Sequence, residues 1–178
     1  MKNIGISLLM LTAVVISAPA DEQRALLARH ETVAVFSGAP FRKCLGLTTL
    51  CPEQCDGSGE WATFEIRGYL VYDKRGEYGD PKQGEFQVRV SDFHKQPVGD
   101  PRWRKIIQTL QPGDFVALTW NHDYVTRDGS KFPDRPLVSL KKLTPAEAAE
   151  LLKKAQPAPP VPKAPAGPRG ATPRAMAR

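Results

Sequence analysis

The sequence contains few of the motifs by which enzymes and metal proteins are commonly recognised. Its 178 residues include three cysteines and three histidines. There is no phosphate-cradling glycine loop, no His-Glu-x-x-His helix and no Gly-x-Ser-x-Gly turn. The acidic turns lack the Asp-x-Asp-x-Asp-Gly spacing of an EF-hand calcium loop. These absences exclude the classes defined by those motifs and leave no recognisable catalytic set, so we expect a protein that is not an enzyme and has no cofactor.

Acidic residues are missing from both ends of the chain. All 19 lie between Asp21 and Glu150, whereas basic residues extend to both termini. Residues 1–20 hold one base and residues 156–178 hold four, which leaves 20 bases and 19 acids in residues 21–155. Of the overall charge of +6, only +1 therefore belongs to the central segment. A segment so close to neutral disfavours nucleic-acid binding, because few cations are in excess to displace counterions from phosphates.

Long apolar runs are also scarce. The run at residues 4–17 is 14 residues long, whereas a helix needs roughly 20 to cross a bilayer. It follows a basic start at Lys2 and ends in the small-residue pattern Ala18-Pro19-Ala20, which is typical of a secretory signal peptide. We therefore expect cleavage before Asp21 and a periplasmic or secreted protein without a transmembrane segment.

The mature chain is predicted to be one domain, residues 21–155, followed by a tail, residues 156–178. Seven prolines and six alanines occupy 13 of the 23 positions of the tail. Such a composition cannot bury a core, so we expect a disordered basic tail. It is interpreted either as a tether to anionic envelope surfaces or as a spacer without a specific partner.

Hydrophobic periodicity predicts the elements of the domain in a fixed order. The first half is predicted as a short helix or loose arm at 21–30, a strand at 32–36, a long loop at 37–60, a strand at 61–72 with a bulge or bend at Gly68, a polar turn to Gly84 and a strand at 86–90. The second half begins with a helix opened by Asp100-Pro101 and stopped by Pro112-Gly113. Two strands follow, at 115–125 and 137–140, joined by an irregular hairpin with a turn signal at Asp128-Gly129. A capping box of Thr144 and Glu147 opens a last helix that runs to about residue 155.

This order, three strands, a helix and two strands, resembles that of the OB-fold, a five-stranded Greek-key barrel. The resemblance covers about residues 32–142 and is one of topology, without a sequence motif. It implies a mainly β domain with a helix between strands 3 and 4, like small exported bacterial proteins with OB-like barrels. OB barrels bind nucleic acids, sugars, peptides and proteins, so the resemblance does not fix a ligand. A five- to seven-stranded sandwich or an SH3-like barrel is the alternative.

All three cysteines, Cys44, Cys51 and Cys55, lie in the predicted loop at 37–60. An exported protein meets an oxidising environment, so we expect Cys44 to form a disulfide with Cys51 or Cys55. Closing a loop of this length stabilises a fold by on the order of 2–3 kcal/mol. The third cysteine is then either reactive or paired between chains.

Metal binding is the alternative interpretation of the same cysteines. Cys51 and Cys55 have the spacing of half a zinc site, which Cys44 and one histidine would complete. The segment Cys51-Pro52-Glu53-Gln54-Cys55 also resembles the Cys-Pro-x-x-Cys loop of copper-delivery proteins that serve cytochrome oxidase assembly. That resemblance implies copper held by two thiolates and a distant histidine, although those proteins have a thioredoxin fold and a second proline where this chain has Asp56. Thiol–disulfide exchange is a third interpretation. The candidate histidines are His30, His94 and His122.

A cluster of aromatic and polar residues ends the predicted strand at 115–125. Strand alternation places Trp120, His122 and Tyr124 on one face, with Asn121 and Asp123 on the other. Two aromatic rings that flank an imidazole form a platform on which a sugar, a base or a peptide can stack. The alternative is that Trp120 and Tyr124 fill the barrel interior and that His122 lies at its rim.

Polar residues dominate three other stretches, 75–82, 126–130 and 134–136. We interpret all three as solvated turns. The sequence as a whole thus favours an exported, non-enzymatic binding or structural module of the bacterial cell envelope, with a small ligand or an envelope protein as its partner. The alternative is a metal-binding or thiol-redox protein that uses zinc or copper at Cys44, Cys51 and Cys55.

Overall fold

The computed structural model describes residues 22–43 and 57–161. This part of the chain is mainly β with two helices, as the sequence predicts. Its eight strands are joined in one sheet. The elements are β1 (Gln23–Gly38), β2 (Phe41–Arg42), β3 (Gly59–Lys74), β4 (Glu85–Arg89), α1 (Pro101–Thr109), β5 (Phe115–Arg127), β6 (Ser130–Asp134), β7 (Leu137–Leu143), α2 (Pro145–Leu152) and β8 (Gln156–Pro157).

Strand β1 forms the centre of the sheet, and its first half corrects a sequence prediction. Residues 21–30 are not a helix or a loose arm, because the strand already begins at Gln23. β1 pairs antiparallel with β3 on one side and with β5 on the other. Backbone hydrogen bonds along both edges override the weak local preference of this Leu- and Ala-containing segment for a helix. Alternate side chains of the strand, Ala28, His30 and Thr32, are consequently buried.

The other predicted strands and helices are present. Gly68 lies at a register shift between β3 and β1, as predicted for a bulge. Asp100 caps α1, and the capping box at α2 is formed. Three strands were not predicted, β2, β6 and β8. Asp128 and Gly129 have φ angles of 51° and 74°, which is the geometry of a tight two-residue hairpin turn, so β5 continues directly into β6.

The predicted five-stranded OB-like barrel is not confirmed, because the sheet is not closed into a barrel. A barrel requires every strand to have two neighbours. Within the described residues, β4 pairs with β3 alone and β7 pairs with β5 alone. The two strands that would have to meet to close the sheet are therefore not joined.

The sheet buries apolar side chains on both faces. The larger cluster includes Phe64, Leu118 and Trp120, and α1 adds Ile107 to it. On the opposite face α2 packs over a smaller cluster that contains Val33. One helix thus packs on each face of the sheet, α1 on one face and α2 on the other.

The start of the predicted tail belongs to the folded body. Gln156 and Pro157 form β8 and pair with Tyr69 and Gly68 of β3. Residues 159–161 then lie against Gly84, where an added Cβ would come within 2.7 Å of a backbone oxygen. We call residues 156–161 the C-terminal strap. The rest of the predicted tail, residues 162–178, and the predicted signal peptide lie outside the described residues.

Candidate functional site

The candidate site lies where a bulge in β1 meets the loop between β3 and β4, residues 75–84, here called the 75–84 loop. Leu27 is an extra residue between two consecutive pairs of β1 with β5. Its carbonyl accepts a hydrogen bond of 2.7 Å from the backbone N–H of Arg75. Gly79 approaches the same carbonyl so closely that a Cβ there would lie 2.4 Å from the oxygen. The bulge therefore anchors the loop at its start and at its middle.

Asp80 connects this loop to β5 through its backbone. Its N–H donates a hydrogen bond of 3.0 Å to Nδ1 of His122, and its carbonyl accepts one of 3.1 Å from the hydroxyl of Tyr72. Because Nδ1 accepts this bond, the ring proton of neutral His122 lies on Nε2. Both backbone groups of Asp80 are thus used to hold it in place. Its carboxylate oxygen Oδ1 also lies 3.2 Å from Nδ1 of His122, but the main partner of the side chain is a different residue.

That partner is Arg135, in the connection between β6 and β7. Its Nε and Nη2 donate to the two carboxylate oxygens of Asp80 at 2.6 and 2.9 Å, which is the strong bidentate geometry. Burial would raise the pKa of the Asp80 carboxyl, but the hydrogen bonds and the positive charge of Arg135 hold it below its ordinary value. Asp80 is therefore ionised at neutral pH, and the pair carries no net charge.

A cavity of about 520 Å³ opens beside this ion pair. Sites for small organic ligands typically have volumes of roughly 300–1,000 Å³. The walls combine aromatic and aliphatic side chains with the polar groups described above. Tyr78 is 81% exposed and Tyr124 is 41% exposed, so both rings offer free surface. The lining residues are Leu27, Tyr78, Asp80, His122, Tyr124, Pro133 and Arg135.

The indole of Trp120 lies in the core near His122, and two other rings stack on it. His30 is completely buried and stacks on Trp120 with ring centroids 4.6 Å apart and an interplanar angle of 8°. Phe86 stacks on the same indole with centroids 4.5 Å apart. Burial lowers the pKa of His30 to about 4, so this imidazole is neutral at pH 7.

Several ring nitrogens of this region are buried without a hydrogen-bond partner among the described residues. They are Nδ1 and Nε2 of His30, Nε1 of Trp120 and Nε2 of His122. Buried polar atoms are usually satisfied by protein groups or by ordered water. The protein thus leaves donors unsatisfied at His122, which lines the cavity, and in the core around it.

The structure brings two of the three predicted ligand-binding residues to the cavity. His122 and Tyr124 line it, whereas Trp120 has no exposed surface and fills the core. The regular alternation of β5 ends after His122, since Asp123 is also buried. Beyond His122 the buried positions of β5 are Asp123 and Val125, and Tyr124 is exposed. Ligand binding by His122 and Tyr124 stays a prediction.

Sequence reasoning missed Tyr78, Asp80 and Arg135 as members of a site and assigned them to solvated turns. The available signal was the similar polar composition of 75–82 and 134–136. Asp80 and Arg135 are 55 residues apart in the chain, however, and only the fold brings the two turns together.

The predicted disulfide and metal site lie outside the described residues, because Cys44, Cys51 and Cys55 belong to residues 44–56. Within residues 22–43 and 57–161, no group of three or more His, Cys, Asp and Glu side chains is placed to hold a metal ion. His94, a candidate ligand, is exposed and lies edge-on to Phe93. The disulfide, zinc and copper interpretations stay predictions.

Comparison of the chain with protein-family models, with curated proteins and with solved structures found no match. Neither helix of the described residues is long and apolar enough to cross a membrane. The function is therefore inferred from the geometry of the site.

Proposed function

We propose that the chain is an exported, non-enzymatic binding module of the bacterial cell envelope, and that the cavity beside Asp80 binds a small neutral organic ligand. The observation that carries this proposal is that Tyr78 and Tyr124 line the same cavity as His122 and the Asp80–Arg135 pair. Small-ligand sites typically join apolar walls with a few fixed polar groups. Export rests on the leader pattern of residues 1–20.

The proposed architecture is an OB-like sheet that is open between β4 and β7. The longer strands are arranged across the sheet as β4-β3-β1-β5-β7, while β2 and β8 also pair with β3 and β6 also pairs with β5. Helix α1 lies between β4 and β5 in the chain, the position that the resemblance implies. OB-folds are partly open five-stranded barrels that bind oligonucleotides and oligosaccharides. The strand order therefore supports this interpretation.

The hydrogen bonds of the cavity favour binding over catalysis. A general base needs a free lone pair and a pKa near the working pH. The Nδ1 lone pair of His122 is engaged by the backbone N–H of Asp80. The Asp80 carboxylate is engaged by Arg135, and its pKa lies below its ordinary value. Both groups are thus held as structural partners and are poorly suited to accept a proton from a substrate.

The test uses the purified mature protein and a panel of neutral small molecules: N-acetylglucosamine, glucose and mannose trisaccharides, N-acetyl-triproline amide and adenosine. NMR follows the ring signals of the four tyrosines during each titration. At least one compound is expected to shift the signals of Tyr78 and Tyr124 saturably, while Tyr69, which is 1% exposed, serves as an internal control. The absence of a shift with every compound would overturn the proposed function, and turnover of a panel compound that is lost in His122→Ala would overturn the non-enzymatic assignment.

A further inference from the structure

The geometry of the cavity points to a neutral saccharide as its ligand, bound with a sugar ring against Tyr78 or Tyr124 and with hydroxyl groups on Asp80 and Arg135. This inference rests on the proposed function and names the ligand class of the same site. Three properties of the cavity carry it: the aromatic walls, the paired donors and acceptors beside them, and the absence of net charge.

The aromatic walls suit the apolar face of a sugar ring. Tyr78 and Tyr124 both line the cavity and are 81% and 41% exposed. Aromatic side chains supply large apolar contact areas and keep a polar tip for hydrogen bonding. The C–H groups on one face of a pyranose form a similarly flat apolar surface. Leu27 and Pro133 extend the apolar lining beyond the rings.

The polar part of the cavity offers donors and acceptors side by side. Arg135 uses Nε and Nη2 for Asp80, which leaves the N–H groups of Nη1 for a ligand. Each oxygen of Asp80 retains a further lone pair. A hydroxyl group donates and accepts, so two neighbouring hydroxyls of a sugar can bond to the arginine and the carboxylate together. A ligand that carries only carbonyl acceptors would leave the carboxylate without a new partner.

His122 adds a donor that the protein does not satisfy. Its side chain is 5% exposed and lines the cavity, and its Nε2 is buried without a partner among the described residues. Because Nδ1 accepts from Asp80, Nε2 carries the proton and requires an acceptor. Because Nε2 itself has almost no accessible surface, a water held between it and a bound sugar would supply that acceptor. Leaving such a buried donor unpaired costs about 1–3 kcal/mol.

The charge of the cavity favours a neutral ligand over an anionic one. Asp80 and Arg135 neutralise each other. A phosphate or carboxylate ligand would be placed beside the Asp80 carboxylate, and like charges at such distances repel. A nucleotide is therefore disfavoured relative to an uncharged sugar.

The test repeats the tyrosine NMR titrations with the three trisaccharides and with matched variants of the full mature chain. We expect a trisaccharide to shift the ring signals of Tyr78 and Tyr124. Tyr124→Ala and Arg135→Lys are each expected to weaken its binding by about tenfold, the loss of one good contact. Arg135→Lys keeps the positive charge but removes the bidentate fork.

Two control variants replace residues that are about as exposed as Tyr124 and Arg135 but do not line the cavity. Phe41→Ala removes a ring that is 41% exposed on β2. Arg67→Lys alters a guanidinium that is 45% exposed and is paired with Glu65 at 2.9 Å. Both should bind the trisaccharide within about twofold of the parent, as expected for residues outside the site. Unfolding curves of all four variants establish that each is folded before it is titrated.

The outcomes separate the ligand class from the proposed function. Shifts with N-acetyl-triproline amide or adenosine, but with no trisaccharide, would overturn the saccharide inference and leave the binding function intact. Trisaccharide binding that is unaffected by both Tyr124→Ala and Arg135→Lys would place the sugar elsewhere and also overturn the inference. Failure of the whole panel would overturn both.

Discussion

The backbone N–H of Asp80 lies 3.0 Å from Nδ1 of His122 and donates a hydrogen bond to it. This contact joins the 75–84 loop to strand β5 and determines which ring nitrogen of His122 carries the proton. It also places the Asp80 carboxylate beside the cavity, where Arg135 binds it. A backbone group, which no side-chain substitution at Asp80 removes, therefore positions the polar part of the site.

We expect His122→Ala to destabilise the protein by about 2 kcal/mol, because it leaves the N–H of Asp80 without its acceptor and opens a cavity at a buried position. Urea unfolding measures the loss, and faster hydrogen exchange at the amide of Asp80 locates it. His94→Ala is the matched control, since His94 is exposed. It should change stability by less than about 0.5 kcal/mol. Equal losses in the two variants would contradict a structural role for the contact with Asp80.

The elements of this fold could be predicted where their signals are local. The capping residues Asp100 and Thr144, the alternation around Phe64 and the turn at Asp128 each depend on a few neighbouring residues. The first half of β1 could not be predicted, because its strand conformation comes from pairing with β3 and β5, which are distant in sequence.

The candidate site likewise combines residues with a local sequence signal and residues that only the fold brings together. Local alternation was sufficient to predict that His122 lies on an accessible face, and the structure places it at the cavity. The contact between Asp80 and Arg135 joins two polar turns that look alike in composition and carry no periodicity. The sequence predicts Trp120 on the same face as His122, because alternation indicates the side of the sheet on which a residue lies. It does not indicate how deeply the side chain is buried. His30 and Phe86 stack on the indole, and Trp120 is completely buried.

His30 is expected to make the protein acid-sensitive. Its pKa is about 4 in the folded protein and 6.5 in a model peptide, so the unfolded chain binds more protons between these values. The contribution of neutral His30 to the free energy of unfolding is fully present above pH 6.5 and is lost as the pH falls toward 4. The charged form would also face His122, which opposes it, and Asp80, which favours it. We expect a loss of about 2 kcal/mol between pH 7.5 and 4.5 from this group.

His30→Phe tests this prediction, because a phenyl ring keeps the stacking on Trp120 and cannot be protonated. Stability from urea unfolding should depend less on pH in this variant, by about the 2 kcal/mol assigned to His30. At pH 7.5 the variant should be as stable as the parent or more stable, since it replaces two unpartnered buried nitrogens with carbon. His94→Phe should leave the pH dependence unchanged. A variant as acid-sensitive as the parent would contradict the role of His30.

The Asp80–Arg135 pair predicts a pKa change that can be measured directly. Arg135→Gln removes the groups that lower the pKa of Asp80 most and leaves the burial that raises it. The Asp80 pKa should therefore rise, which carbon-detected NMR of the carboxyl group can follow. As a control, Arg67→Gln removes the partner of Glu65 in an exposed pair and should leave the Asp80 titration unchanged. An unchanged Asp80 pKa in Arg135→Gln would show that the pair does not form in solution.

A double-mutant cycle gives the free energy of the same contact. Asp80→Asn, Arg135→Gln and the double variant should show a coupling of about 1 kcal/mol in urea unfolding at pH 7. The pair formed by Glu65 and Arg67 is more exposed, with side chains 37% and 45% accessible. Its coupling energy should be only about 0.3 kcal/mol, as for other surface pairs. Equal coupling energies would indicate that burial of Asp80 does not strengthen its ion pair.

Gly79 and Gly84 both exclude a side chain, but with different consequences. A Cβ at Gly79 would lie 2.4 Å from the carbonyl of Leu27, which is held by the sheet, whereas a Cβ at Gly84 would meet the C-terminal strap at 2.7 Å. The strap is paired with β3 at only two residues, so we expect it to shift more easily than β1. We therefore expect Gly79→Ala to cost about 2–3 kcal/mol in urea unfolding and Gly84→Ala about 1 kcal/mol or less. NMR shifts should change at Asp80 in the first variant and in residues 156–161 in the second. Equal losses of stability would mean that the strap is held as firmly as β1, and that it belongs to the cooperative core of the sheet.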